Sequence, residues 1–296
     1  MRSKCNYFID VALWPLATRL DPSGWLTNFR PDEMGHAVQL LNAFIYLSEP
    51  VVDQLFVAAF QGVSRLVFPK NEPLRRVQAT WQKFVDTVKI THVTGERPSN
   101  ADSGLIFARK ARDLIPVHED QIFSPESALE SLLKGDNRPL VFVDDFCGSG
   151  NQFYETWTRE YESLSHLVNS FAEATVSVRG LRVFYCPLVC TERGSARITA
   201  ECPGVNLAPA HFLAERYGAL AADSLIWPDR FRSSASSFLE TVSARAGIPD
   251  LNGDVGDWRG FRRLALAIAF NHSVPDATLP LFTWNRNGWR PLIRKP

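Results

Sequence analysis

The stretch from Leu140 to Gln152 constrains the fold more than any other part of the chain. Its first four residues are apolar without alternation, and Asp144 and Asp145 follow them directly. An unbroken apolar strand of this kind is typical of a parallel sheet that helices cover on both faces. Ligands of open α/β sheets bind at the carboxyl ends of the strands. The sequence therefore predicts an α/β protein with a binding site at the two aspartates.

A loop of small residues, Gly148 to Gly150, separates the acidic pair from a predicted helix that begins near Gln152. Glycines let a ligand approach the backbone closely, and the N–H groups at a helix start form a nest for anions. Carboxylates beside such a nest suit sugar hydroxyls or a hard cation such as Mg²⁺. A plain strand-to-helix turn, in which the aspartates only cap the helix, is the structural alternative.

Strands and helices alternate around this stretch. Strands are expected at residues 88–93, 121–123, 139–143, 181–189 and 205–207. Helices are expected at residues 105–114, 125–134, 152–171, 211–222 and 233–246, while residues 264–270 form either a buried helix or a strand.

Three regions follow from this pattern. Residues 1–86 form a helical N-terminal module, in which apolar spacing predicts helices from Pro31 through Leu47, at 51–66 and at 72–86. Residues 87–230 form the α/β core. Residues 231–296 form an aromatic-rich C-terminal extension of helical and hairpin structure that packs on the core.

Charge and cysteine content exclude several classes of protein. Lysine plus arginine and aspartate plus glutamate each number 32, so no net charge attracts nucleic acid non-specifically. Nucleic-acid contact would need a local patch, and the basic tail from Arg286 to Lys295 is either that patch or a solvated surface. Five cysteines without a C-x-x-C pair argue against a disulfide framework and a zinc site.

No apolar run reaches the ~20 residues that a membrane-spanning helix needs, and the first residues lead into no signal-peptide core. We therefore expect a cytoplasmic protein without a membrane partner.

The apolar strand, the acidic pair and the small-residue loop resemble the 5-phosphoribosyl diphosphate (PRPP) motif of type I phosphoribosyltransferases. Further motifs resemble a phosphoribosyltransferase-like family found beside bacterial anti-phage systems, including some retrons. These motifs are Gly95-Glu96, Asp102-Ser103-Gly104, Phe107 to Arg112, Asp144 to Gly150, Pro275-Asp276 and Leu279 to Phe282. The resemblance covers most of the chain and implies a mostly parallel sheet of the type I phosphoribosyltransferase kind.

The resemblance also implies a role for each motif residue. Asp144 and Asp145 would face the ribose hydroxyls as the catalytic pair, stabilise an oxocarbenium-like transition state, and hold Mg²⁺ indirectly, through the ligand or water. The 5′-phosphate would bind at Gly148, Ser149, Gly150, Asn151 and Gln152. The pyrophosphate would lie at Asp102, Ser103 and Gly104, with positive charge from Arg109, Lys110 or Arg112.

The implied function is a phosphoribosyltransferase-like protein that binds PRPP or a related nucleotide with Mg²⁺ and serves as an effector or accessory protein of an anti-phage defence system. True transferases commonly carry Thr-Thr-Gly-x-Thr in the phosphate loop, where this chain has Gly148 to Gln152 with one hydroxyl, that of Ser149. No residue identifies an acceptor base, so transferase activity stays open. The alternatives are a catalytically inactive nucleotide sensor or scaffold that acts through protein contacts, and, less well supported, a phosphohydrolase.

Overall fold

A computed structural model describes residues 2–11, 13–15, 19–68, 73–95, 103–162 and 168–294. The predicted site residue Asp102 and the side chain of Ser103 lie outside this description. In chain order the helices are α1 (Arg2–Asp10), α2 (Pro22–Leu26), α3 (Met34–Ala43), α4 (Glu49–Gly62), α5 (Ser64–Val67), α6 (Leu74–Thr87), α7 (Ser103–Leu114), α8 (Pro125–Leu133), α9 (Asn151–Thr158), α10 (Phe171–Ser177), α11 (Glu192–Glu201), α12 (Asp229–Arg232) and α13 (Ala235–Ala246).

The strands are β1 (Ile45–Leu47), β2 (Lys89–His92), β3 (Leu140–Cys147), β4 (Tyr161–Glu162), β5 (Val168–Asn169), β6 (Val183–Thr191), β7 (Val205–Leu207), β8 (His211–Leu213) and β9 (Ile268–Phe270). The chain forms two compact units. One comprises residues 53–212, and the other joins residues 1–52 to residues 213–296.

The unit of residues 53–212 is built on a parallel sheet with the strand order β2-β3-β6-β7, and β8 also pairs with β6. Strand β3 is central, with Leu140 opposite Lys89 of β2 on one side and Val183 of β6 on the other. Every residue of β3 and β6 is buried. Strands buried on both faces carry unbroken apolar runs, which is why Leu140 to Val143 lacks alternation. The predicted mixed α/β architecture with a mostly parallel sheet is confirmed.

Aromatic side chains fill the core between this sheet and its helices. The ring of Phe142 on β3 lies edge-on to Phe153 of α9 at 5.3 Å and to Phe171 of α10 at 4.9 Å. Phe153 also stacks on Tyr185 of β6 at 4.1 Å. Such ring pairs add ~0.5–1.5 kcal/mol each beyond the burial of their area. This packing fixes α9 directly after the carboxyl end of β3.

The other unit joins segments from the two ends of the chain. Its strands β1 and β9 pair in parallel, with Ile45 opposite Ile268. Trp25 is fully buried, stacks on Phe282 at 5.5 Å, and donates its indole N–H to the carbonyl of Leu281 at 2.8 Å. Because C-terminal aromatic residues share one core with N-terminal helices, this grouping differs from the predicted ranges 1–86, 87–230 and 231–296, which follow chain order.

Several predictions of helices are wrong. The helix expected at residues 152–171 ends at Thr158, and the antiparallel pair of β4 and β5 follows it. Residues 211–222 contain β8 and a 3₁₀ turn instead of a helix. Ile45 and Leu47 belong to β1, although α3, α4 and α6 confirm the other helices expected before residue 87. Short apolar runs do not distinguish a buried strand from a helix, and strand pairing decides between them.

Two ambiguous segments also become clear. The strand expected at residues 121–123 is reduced to one bridge between Ile122 and Ile90. Residues 268–270 are a strand. Asn287 and Gly288 form a tight turn of the kind that an Asn-Gly pair favours, with both φ angles positive and the Trp289 N–H bonded to the Arg286 carbonyl at 2.9 Å.

The five cysteines are all free and buried. In the described portion of the chain, we find no helix with the length and apolar character needed to cross a membrane.

Candidate functional site

The side chain of Asp144 lies inside the sheet core and not in open solvent. It is 2% exposed, and the hydroxyl of Tyr185 on β6 donates to its Oδ2 at 2.8 Å. The backbone N–H of Asp145 donates to its Oδ1 at 2.9 Å. Both oxygens of this carboxyl therefore already accept a hydrogen bond from the protein.

Burial raises the pKa of Asp144 well above its usual range, and the nearby carboxylate of Asp145 raises it further. The hydrogen bond from Tyr185 opposes this shift without cancelling it. The same burial and the same carboxyl raise the pKa of Tyr185. The raised pKa disfavours the ionised form of Asp144, which makes this carboxyl a weaker nucleophile and a weaker ligand for a cation.

Asp145 differs from its neighbour although both are buried. Asp145 is 5% exposed, and it has no partner in the pairing of β3 with β6, which joins Asp144 to Pro187 and Phe146 to Val189. The regular alternation of the strand is therefore interrupted at Asp145. The two carboxyl groups still interact, because the charge of Asp145 and a hydrogen bond with it both raise the pKa of Asp144.

The predicted phosphate loop directly follows β3. Gly150 is the N-cap of α9 and has a φ of 77°, a left-handed conformation that glycine adopts without a steric penalty. Within the described residues, the backbone N–H groups of Gly148 and Ser149 donate to no protein acceptor. The Asn151 N–H bonds weakly to the Ser149 hydroxyl at 3.3 Å. These amides lie at the start of an eight-residue helix, where backbone N–H groups can hold an anion, and the anion nest stays a prediction.

The N-terminus of α11 packs against this loop. The hydroxyl of Thr191, the N-cap of α11, donates to the Gly148 carbonyl and accepts from the Gly194 N–H at 3.0 Å. A β-carbon at Gly194 would lie 2.6 Å from the Gly148 oxygen and 2.8 Å from the Cys147 sulfur. Only glycine at position 194 allows this close contact between helix and loop.

Arg197 of α11 brings positive charge to the loop. The Arg197 guanidinium donates to the Asn151 side-chain oxygen at 2.7 Å, and it lies 4.6 Å from the centre of the Tyr154 ring. Glu201, one turn further along α11, accepts from its Nε at 3.2 Å. The sequence offers no signal for this role, because Arg197 lies 46 residues after Asn151. Thr191 has a weak signal, an N-cap residue before a helix.

The predicted pyrophosphate loop is described only at its two ends. After it, α7 begins at Ser103, and a β-carbon on Gly104 would lie 2.3 Å from the carbonyl oxygen of Val93. Gly104 therefore allows the start of α7 to lie against the end of β2. Before it, Arg159 bonds through one guanidinium nitrogen to the Thr94 hydroxyl and through the other to the Gly95 carbonyl at 2.8 Å. Sequence reasoning missed Arg159.

The three predicted cations of α7 have different surroundings. Arg109 is exposed and lies six residues into the helix, which places it ~9 Å along the axis from Ser103. Lys110 forms an ion pair with Asp53 at 2.5 Å, and Arg112 pairs with Asp113 at 3.0 Å. The Arg109 side chain is thus exposed to solvent, whereas Lys110 and Arg112 each form an ion pair with an aspartate.

A protein-only metal site is absent from the described residues, where no three His, Cys, Asp or Glu side chains cluster suitably. The donor set therefore fits Mg²⁺ only in the indirect form that the resemblance implies, with most ligands supplied by phosphates and water. Cys147 is not a reactive thiolate, because its hydrogen bond with Cys190 and its burial raise its pKa well above the usual value.

A family model described as PRTase-CE matches residues 22–295. A search of curated proteins finds no match to the chain.

Proposed function

The chain belongs to the PRTase-CE family, which is phosphoribosyltransferase-like, and we propose that residues 53–212 bind PRPP or a related nucleotide with Mg²⁺. One observation carries the proposal: an acidic pair on the central parallel strand runs directly into a glycine loop with available amides and a helix N-terminus. A phosphorylated sugar can bind such a site, with its hydroxyls at the carboxylates and its phosphate at the loop amides and the helix N-terminus.

In this proposal the residues of the site have unequal roles. Asp145 is the carboxylate that meets the ribose hydroxyls, while Asp144, held by Tyr185, positions the strand. The loop amides and Arg197 hold the 5′-phosphate, because a guanidinium beside an anion nest adds a charged donor. Mg²⁺, when bound, would neutralise charge on the pyrophosphate.

Calorimetric titration of the full chain with PRPP and Mg²⁺ tests the proposal. We expect saturable binding that weakens at least ~10-fold in Asp145→Asn, less in Asp144→Asn, and ~10-fold in Arg197→Met, since charged hydrogen bonds contribute ~1.5–3 kcal/mol. Asp120→Asn, on an exposed residue of the same unit, is the matched control and should bind as the wild type does. A folded wild type that does not bind PRPP would refute the assignment.

A catalytically inactive sensor or scaffold is the second candidate. Two observations favour it: both oxygens of Asp144 are already engaged, and the loop carries a single hydroxyl. A pyrophosphate-release assay with a panel of nucleobases separates the two. Binding without release in any acceptor mixture supports the sensor, and release that Asp145→Asn abolishes supports the transferase.

The role in anti-phage defence belongs to the same proposal and is motivated by the resemblance of the motifs. Plaque counts on cells that carry the wild-type gene with its neighbours, compared with Asp145→Asn cells, test it. Equal plaque numbers in both strains would argue against a defence role for this site.

A further inference from the structure

The unit formed by residues 1–52 and 213–296 contains a basic groove that the proposed PRPP site does not use. One concavity of about 870 Å³ is lined by Trp284, Arg286, Arg290 and Arg294 among others, and the exposed carboxylate of Asp276 also lines it. Two smaller concavities of about 390 and 260 Å³ adjoin it. Arg290 lines all three, so they form one continuous surface along residues 286–294. We call this surface the arginine groove.

The backbone of the arginine groove is held firmly by the rest of its unit. The indole N–H of Trp284 and the side-chain amide of Asn287 both donate to the Ala246 carbonyl at the end of α13, at 2.8 and 3.0 Å. The Asn28 side chain accepts from the Arg290 N–H at 2.9 Å and donates to the Arg290 carbonyl at 2.8 Å. The wall of the groove is therefore preorganised, which lowers the entropy lost when a ligand binds.

The arginine side chains on this wall are exposed and available. Arg286, Arg290 and Arg294 form no ion pair with any acidic residue in the described parts of the chain. Arg245, which lines one of the smaller concavities, behaves differently because Glu33 binds it through two contacts of 2.6 Å. Asp21, at another concavity, accepts from the Gly24 N–H and caps α2. The wall keeps an excess of positive charge, because Arg19, Arg286, Arg290 and Arg294 outnumber the carboxylates of Asp21 and Asp276 that line the same concavities.

An aromatic face accompanies the charge. Trp284 is partly exposed, and the Arg286 guanidinium lies 5.5 Å from its ring centre. Guanidinium groups suit phosphates because they donate two parallel hydrogen bonds, and they also stack on planar rings. An extended basic groove with an aromatic platform matches single-stranded nucleic acid, whose phosphates follow the charge while a base stacks on the ring.

We propose that the arginine groove binds single-stranded nucleic acid, with phosphates at Arg286, Arg290 and Arg294 and a base on Trp284. The zero net charge of the chain is compatible with this, since the contact is local. An acidic peptide lacks the planar base that the Trp284 face would hold, and a duplex keeps its bases paired and stacked, so that no base is free to stack on Trp284. The proposal is independent of PRPP binding, because the two sites use different residues in different units.

Fluorescence anisotropy of a labelled oligothymidylate of about 12 nucleotides, added to the full chain at several salt concentrations, tests the proposal. We expect saturable binding that the triple variant Arg286→Ala, Arg290→Ala, Arg294→Ala weakens at least ~10-fold, with a salt slope smaller by ~2. The charge-matched control, Arg75→Ala, Arg179→Ala, Arg230→Ala, removes three exposed arginines outside the groove and should change affinity less than ~2-fold.

Competitors define the ligand class. Unlabelled oligothymidylate should displace the probe, while a mononucleotide, a polyglutamate peptide and a duplex of equal length should compete far less. Equal weakening by the groove and control variants, or equal competition by polyglutamate, would overturn the proposal. Loss of tryptophan quenching in Trp284→Phe relative to wild type, with circular dichroism unchanged, would support stacking at that ring.

Discussion

The candidate PRPP site and the arginine groove differ in the burial and the charge of the groups that form them. The first uses buried carboxyl groups, backbone amides and glycines that let helices approach a loop, all within the core of residues 53–212. The second uses exposed guanidinium groups on a wall whose backbone alone is fixed. Substitutions in the first therefore change stability and binding together, whereas substitutions in the second change binding with little effect on stability.

The largest effect is expected at Gly194, where helix α11 contacts the phosphate loop. Gly194→Val places a side chain within 2.6–2.9 Å of three atoms of Cys147 and Gly148, and we expect a loss of ~3 kcal/mol in the free energy of unfolding. Urea denaturation measures it. The control Gly62→Ala meets only the end of Arg65 at 3.5 Å and should be neutral or stabilising. Wild-type stability in Gly194→Val would show that the loop and α11 are not in close contact.

The next effect concerns pH and distinguishes Asp144 from an ordinary carboxylate. The pKa of Asp144 is raised in the folded protein, so its contribution to stability is complete below the unfolded pKa and is lost as pH rises towards the folded value. Asp144→Asn should therefore gain stability relative to wild type between pH 4 and neutral pH, by ~1.4 kcal/mol per unit of pKa shift. Denaturation at a series of pH values measures this difference. A gap that stays constant with pH would contradict a buried neutral carboxyl.

Arg245 and Arg290 line the same concavity and allow a direct comparison of an ion-paired arginine with an unpaired one. Arg245 forms hydrogen bonds with Glu33, which is 9% exposed, and these bonds lower the pKa of Glu33. Arg290 has no ion pair among the described residues. We expect Arg245→Met to cost ~2 kcal/mol at neutral pH and Arg290→Met under ~0.5 kcal/mol. The Arg245 effect should shrink as pH falls through the pKa of Glu33. Similar costs for both variants would show that Arg290 has a structural role.

The smallest effect isolates backbone strain in the groove wall. Gly288 has a φ of 74° and open space around its α-carbon, so Gly288→Ala adds strain without a clash. We expect a loss of ~1 kcal/mol, measured by thermal unfolding, with PRPP binding unchanged. A loss above ~3 kcal/mol would mean that this turn supports more than the local wall.

Much of the candidate PRPP site could be predicted because its signals are local. An apolar run, two aspartates and a glycine loop occupy consecutive positions, and each has a direct structural meaning. Tyr185 and Arg197 could not be predicted, because they reach the site only through the pairing of β6 beside β3 and the packing of α11. Thr191 has only the weak signal of an N-cap residue before a helix. The hydrogen bond that Asp144 accepts from Tyr185 likewise depends on the pairing of β3 with β6.

The sequence alone determined the elements with strong local codes: the parallel-sheet strand at Leu140 to Val143, the loop after it, and the turn at Asn287 and Gly288. These codes are steric and hydrophobic preferences of neighbouring residues, so they can be read along the chain. Only the tertiary structure decided that residues 1–52 share a core with residues 213–296, that β1 is a strand, and that three arginines line one groove. Such contacts join residues far apart in sequence, and their stability comes from burial that no local pattern encodes.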